Sequence, residues 1–492
     1  LFDAFAASTH EEWRAAAERL LKGASFDKRL RTATLEGLVV EPIYRTDDLD
    51  GLSHVDTLPG SPPFVRGFKG TRDKRSPWWI AQEITRPVIA DARGGLAREI
   101  ERGATAAMLC VDRAARKGID PESTENGNVG RGGISIATAA ELAEVLEGID
   151  PGEVPVWLTA GSSGMALLGF YVSAAEGRGI APDRLGGAVA MDPLAEWIRE
   201  GVLPLSLDGA FDEMAEMAAW ANEHAPAVGT AWMHGEVFHD GGADTVQELA
   251  FTLAAALQYL RALEARSLAP EQIIPHFRFS FALGSQFFME VAKLRAARLL
   301  WNRVLAACEV PETKRFFWMH CRTSGFTATR FDPHVNMLRA TTQALSAVVG
   351  GADSLCVAPF DAPIRRPDRF SRRIARNVQL ILKDEAHLKE IMDPGAGSWY
   401  VERLTHELAQ AAWALFQQVE DMGGMAAALE QGFPQVEIKK RLDRRRDALR
   451  LRRDVLVGTN QYPAANEERL EAEPFDETVF RKERSAAIKK IK

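Results

Sequence analysis

From Pro77 onward, short apolar and β-branched runs alternate with helical segments. The runs are WWIAQEI (78–84), AAMLCVD (106–112), VPVWLTAG (154–161), GAVAMD (187–192), VGTAWMHG (228–235), PHFRFSFAL (275–283), FFWMHCR (316–322) and DSLCVAP (353–359). Between them, stretches such as TVQELAFTLAAALQYLRALEAR (245–266) and SQFFMEVAKLRAARLLWNRVLAAC (285–308) keep a 3.6-residue period. Parallel strands need crossover connections, and strand–helix alternation supplies them, so an α/β fold with a parallel sheet is expected. Eight such units over about 300 residues is the count of a (β/α)8 TIM barrel. A doubly wound open sheet is the structural alternative, because alternation does not prove closure.

Four regions follow. Residues 1–75 hold an N-terminal helix and an irregular arm, 76–390 the barrel, 391–455 a helical region, and 456–492 a polar, charged tail. Ser8 and Glu11 have capping-box spacing for the first helix, which closes at Gly23. Residues 39–75 are rich in Pro and Gly and show no sustained period, the pattern of either a functional stretch or an arm wrapping another surface. The basic tail ending RKERSAAIKKIK reads as solvated, with a docking arm as the alternative. With 46% apolar residues the chain can build a large core. A net charge of −8 argues against a nucleic-acid binder. No apolar run reaches the ~18 residues a membrane span needs. Cys110, Cys308, Cys321 and Cys356 lie too far apart for a disulfide framework or a zinc site, so no metal is expected. The opening FDAFAASTHEEW does not read as a targeting peptide, and a reduced, cytoplasmic location is expected.

Barrel chemistry takes place at the C-terminal ends of the strands. The residues expected there are Glu83, Asp112, Asp192, His234, His239, Asp240, His276, Arg278, His320, Arg322 and Cys356. Arg278, His320 and Arg322 form a candidate anion-binding cluster; equally, they are mouth residues paired with Asp192 or Glu83. Gly161-Ser162-Ser163-Gly164 lacks nucleophile-elbow spacing. The glycine cluster at 126–133 has no strand directly before it and reads as a tight surface loop.

Several blocks carry a resemblance. TLPGSPPFVRG (57–67), SPWWIAQ (76–82), QELAFTLAAALQYL (247–260), FFMEVAKLRAARLLW (287–301), RTSGF (322–326), FSRRIARNVQLIL (370–382) and DPGAGSWYVERLT (393–405) resemble, in order, the acyl-CoA mutases of the methylmalonyl-CoA mutase family. The resemblance implies a barrel threaded by a CoA thioester, followed by a flavodoxin-like cobalamin domain. Adenosylcobalamin docks over the barrel mouth there and supplies the radical for a carbon-skeleton rearrangement.

The same comparison exposes departures. Catalytic members carry R-P-W-T-I-R-Q-Y on the first barrel strand; here Ser76, Trp79, Ala81 and Glu83 stand at the Arg, Thr, Arg and Tyr positions. An arginine that clamps an anion bidentately has no substitute in alanine. The block G-Y-H-x-x-E-A-G-A aligns with residues 235–243, and Val237 stands where the general-acid histidine would be. The implied catalytic set is therefore empty. Arg278 and Ser280, in R-x-S-F, match CoA-contacting positions, and with Arg322 they are candidates for a vestigial CoA site. D-x-H-x-x-G, the cobalt-ligand motif, is not found; Asp332-Pro333-His334 reads as a helix start, and no flavodoxin-like domain is expected.

This combination resembles the small, non-catalytic subunit of the family's heterodimers. It implies a large catalytic partner subunit that holds adenosylcobalamin, with no cofactor bound by this chain. The arm would then be a subunit contact, and the pair would act in propionate metabolism. Alternatives are the substrate-binding subunit of a split mutase with a separate cobalamin-binding chain, or an acyl-CoA-binding regulatory module.

Overall fold

A computed structural model describes residues 9–71, 77–123, 127–464, 466, 470–472 and 475–490. All eight expected strands form: β1 (Trp79–Ile84), β2 (Ala106–Cys110), β3 (Val156–Gly161), β4 (Gly187–Met191), β5 (Val228–His234), β6 (Phe277–Leu283), β7 (Met319–Thr323) and β8 (Ser354–Cys356). Each pairs in parallel with its sequence neighbour, and β8 closes on β1 through Ser354 opposite Trp79 and Leu355 opposite Ile80. The open-sheet alternative is thereby excluded.

Around the strands, after helix α1 (His10–Leu20), lie α2 (Ile89–Glu101), α3 (Ala139–Val145), α4 (Gly164–Glu176), α5 (Leu207–His224), α6 (Thr245–Glu264), α7 (Phe287–Ala307), α8 (Val335–Val349) and α9 (Arg369–Leu380). After the barrel come α10 (Trp399–Asp421), α11 (Phe433–Arg450) and α12 (Glu477–Lys489), with a short helix, Met425–Glu430, between the first two. Their starts are chemically marked. Asp244 and Gln247 form a capping box at α6, and Asp368 accepts from the Ser371 amide at α9. Among the described residues no helix is long and apolar enough to cross a membrane.

Strand alternation divides two cores. On β6, Phe277, Phe279 and Phe281 face the helices, where Phe279 meets the Trp301 ring of α7 edge-on at 5.0 Å. Arg278 and Ser280 face the barrel lumen. Helices α6 and α7 are buried on nearly every side because α10 covers the face that the strands leave open.

The termini differ from expectation. The capping box of α1 belongs to Thr9 and Glu12, one residue later than the expected pair. The arm lies along its own barrel: Val65 is fully buried, its carbonyl accepts from Arg298, and His54 bonds Glu402 of α10 at 3.0 Å. The expected solvated tail instead docks. Phe480 and Ile488 of α12 are buried, and Arg484 reaches Glu141 of α3 at 2.6 Å.

Candidate functional site: a barrel lumen closed by indoles

The lumen is stacked in three levels, and the residues expected at one mouth are spread over all of them. At the N-terminal end, Arg278 gives its guanidinium N–H groups to the carbonyls of Pro275 (2.7 Å), Phe277 (2.9 Å) and Ala227 (3.2 Å). It lies over the rings of Trp318 and Phe316, at 5.5 and 5.9 Å. Gly229 makes this possible, since a Cβ there would sit 2.8 Å from the arginine Cγ. Burial draws the Arg278 pKa down to about 10. His276, on the turn before β6, bonds the Val228 carbonyl at 2.6 Å. Both residues therefore belong to the opposite end of the barrel from the one expected, because they precede or open their strand.

At mid-height, Trp157 of β3, Trp232 of β5 and Trp318 just before β7 meet across the axis. Ring centroids are 5.2 Å apart for Trp157–Trp318 and 6.3 Å for Trp232–Trp318. Ala81, Ala106, Ala188 and Ala190 stand on β1, β2 and β4, and Trp79 packs against the cluster. Small residues on one side accommodate large ones from the other, as a filled barrel requires. Above the indoles, His320 contacts Trp232 and Trp157, and its Nδ1 meets the Ser354 hydroxyl at 2.9 Å. Burial, then the nearby Arg322, pushes the His320 pKa down to about 3, so the ring is neutral at physiological pH.

At the C-terminal mouth, Arg322 faces Glu83 and Asp240, each at 3.8 Å. The arginine's charge is strengthened mainly by Glu83. Expected pairing with Glu83 is thus present, whereas Asp192 pairs with His234 instead: its Oδ2 lies 2.9 Å from the ring Nδ1 and accepts the His234 amide at 2.8 Å. Tyr259 adds its hydroxyl at 2.5 Å. Burial raises the Asp192 carboxyl, but these donors outweigh it and hold the pKa below the ordinary value. Ser280 donates to Glu236. Asp112 caps the turn after β2 and accepts from the Gly130 amide at 2.7 Å. In its described part the glycine cluster is only partly a surface loop: Arg131 and Gly132 are exposed, but Gly133 packs so tightly on β2 that a Cβ would be 2.1 Å from the Cys110 carbonyl. Gly130 and Gly132 also line a cavity of about 590 Å³ beside Glu83, Arg322 and Cys356. Burial raises the Cys356 thiol to about 12, so it is no thiolate nucleophile. Val237 is half-buried on the short helix after β5, and Ser76 lies outside the described residues.

One buried network escaped sequence reasoning. His239 Nε2 meets the Ser324 hydroxyl at 2.7 Å and its Nδ1 lies 3.6 Å from Glu248. Lys293 joins Glu248 at 2.7 Å and Glu290 at 2.5 Å. Burial raises Glu248, but Lys293 and His239 bring it down to about 2. The order Ser–His–Glu resembles a hydrolytic relay, yet Ser324 is 3% exposed and its oxygen also accepts from the Thr327 amide. It braces the loop after β7. The available signal was the charge of Glu248 and Lys293 on helices long and apolar enough to be buried.

A family model described as methylmalonyl-CoA mutase matches residues 33–492. The chain belongs to the methylmalonyl-CoA mutase family. It is 34% identical over 484 residues to the methylmalonyl-CoA mutase of Cereibacter sphaeroides, covering 98% of this chain and 68% of that protein. It is 32% identical to the Escherichia coli mutase (99% and 68%) and 30% identical to the mutase large subunit of Streptomyces virginiae (98% and 66%). Adenosylcobalamin, implied by this family, calls for an imidazole on cobalt. The lumen and mouth imidazoles His320, His234 and His239 are 2%, 8% and 4% exposed and committed to Ser354, Asp192 and Ser324. These side chains do not fit that role. Among the described residues no cluster of His, Cys, Asp or Glu could hold a metal ion.

Proposed function

We propose that this chain is a non-catalytic barrel subunit of an acyl-CoA mutase, of the small-subunit type, paired with a catalytic chain that holds both acyl-CoA and adenosylcobalamin. The indole cluster carries this reading. A thioester threaded along the axis would have to occupy the space of Trp157, Trp232 and Trp318, which are 2%, 0% and 8% exposed. Arg278, the residue best suited to a CoA phosphate, spends its donors on backbone carbonyls. At the reacting level, Ala81 and Val237 offer no donor to a carboxylate or a developing oxyanion, and Glu83 would repel an anionic substrate. In this role the barrel serves as a folded surface that stabilises its partner.

Native mass spectrometry of the tagged chain recovered from its own cells tests this. The expected result is a one-to-one complex with a larger corrinoid-bearing mutase chain, together with no change in the fluorescence of the lumen indoles when millimolar CoA is added to the isolated subunit. Turnover of methylmalonyl-CoA by this chain with only a small cobalamin-binding protein added would overturn the reading.

A further inference from the structure

On the outer wall of the barrel, where the first and last helices meet, α2 and α9 enclose a groove of about 410 Å³. That volume falls within the range of small-molecule sites, about 300–1,000 Å³. Its lining is almost wholly guanidinium. Arg369, Arg372, Arg373 and Arg376 follow the spacing i, i+3, i+4, i+7, so α9 turns four arginines to one side. Helix α2 contributes Arg98, Arg102 follows one turn on at its C-cap, and Arg86 stands on the connection from β1. Against these seven cations the groove sets only Asp91 and Glu99. Five net positive charges are therefore gathered at one place on a chain whose total is −8.

The charges are arranged in depth. Glu99 forms the floor, held by Arg372 at 3.0 Å and Arg376 at 2.7 Å. Those two side chains are 13% and 7% exposed, and Arg372 also donates to the Glu83 carbonyl. Arg372 Nη2 and Arg376 Nε are buried donors without an acceptor, unlike the great majority of such groups. Above the floor, Arg98, Arg369 and Arg373 are exposed, and among the described residues no carboxylate pairs with them. Holding like charges together costs free energy, and the groove itself sets only Asp91 and Glu99 against it. Gly95 keeps the wall of α2 low between Asp91 and Glu99.

We propose that this groove binds a compact polyphosphate group, such as the di- or triphosphate of a nucleotide or an inorganic polyphosphate. Planar guanidinium forks match phosphate oxygens bidentately, and several at once suit a multivalent anion. A flat acidic protein surface would meet only the rim arginines, whereas a phosphate chain is narrow enough to approach the recessed pair. Ile84 is the one large apolar side chain in the lining, so no platform for a nucleobase is present and the phosphate chain carries the affinity. The proposal does not depend on which partner the barrel has.

Titration calorimetry of the whole chain with sodium tripolyphosphate, and separately with ATP, at low salt provides the test. One saturable site is expected, with the two ligands within a few-fold of each other and both weakening as salt is added. The double variant Arg369→Glu/Arg373→Glu changes only exposed side chains and should weaken binding at least about tenfold. Arg14→Glu/Arg19→Glu on α1, the same charge change elsewhere, should leave it intact. Thermal melts confirm that both variants fold. No saturable binding by either ligand, or equal binding by the α9 variant, would overturn the site. Tighter binding of a poly-glutamate peptide than of tripolyphosphate would also overturn it and make the groove a protein contact.

Discussion

His320 shows how a residue's chemistry is set by its level in the lumen. On sequence it is a candidate anion ligand beside Arg322; in the fold it sits on indoles, and burial holds its pKa near 3 against an ordinary 6.5. A base whose folded pKa is lowered contributes stability fully above pH 6.5 and loses it as the pH falls toward 3. The expected slope is at most about 1.4 kcal/mol per pH unit. Urea unfolding of wild type and His320→Gln between pH 7.5 and 4 measures it. The variant should show a shallower loss. Some slope should remain, because burial also holds His276 down, to about 4. Equal slopes would mean that His320 is not buried neutral. Arg322 makes the complementary point: two carboxylates at 3.8 Å strengthen its charge, and a mouth with Glu83 and Asp240 on either side of one arginine is poorly suited to a further anion.

At the scale of elements, α12 was the least legible part of the chain. Its charged sequence hides an apolar stripe of Phe480 and Ile488, and Arg484 supplies the polar anchor to Glu141 and to the Ser135 carbonyl. Each buried apolar side chain is worth ~1.5–3 kcal/mol. Deleting residues 475–492 should therefore lower the unfolding midpoint. It should also raise amide hydrogen exchange in the 127–136 loop, which α12 contacts through Glu477 and Arg131 at 2.7 Å. Unchanged exchange in that loop would show that α12 is not docked in solution. Helices α6 and α7 were legible by contrast, because about twenty residues of continuous apolar period leave little else to form.

For the whole molecule, closure is the decisive event. The seam joins Trp79 to Ser354, segments 275 residues apart, and the Trp79 amide donates to the Asp353 carbonyl at 2.9 Å. A chain ending before β8 would leave β1 and β7 as open edges and uncover the indole cluster, so it should aggregate or unfold without cooperativity. The chain lacking only 475–492 should still unfold in one transition. Denaturant curves of the two truncations separate these outcomes, and a cooperative transition for the shorter chain would contradict the role given to the seam. The eight strands, their helices and the family resemblance were all readable in the sequence, because period, turn chemistry and motif order reside in neighbouring residues. The lumen positions were partly readable too: Trp157 and Trp232 alternate with the outward aliphatics of their strands. What the sequence could not place was height along the axis and company across it. That Arg278 plugs the far end, that three indoles meet at the centre and that α2 and α9 pool their arginines follow only from closing the barrel. Closure brings together side chains whose separation in sequence carries no local signal.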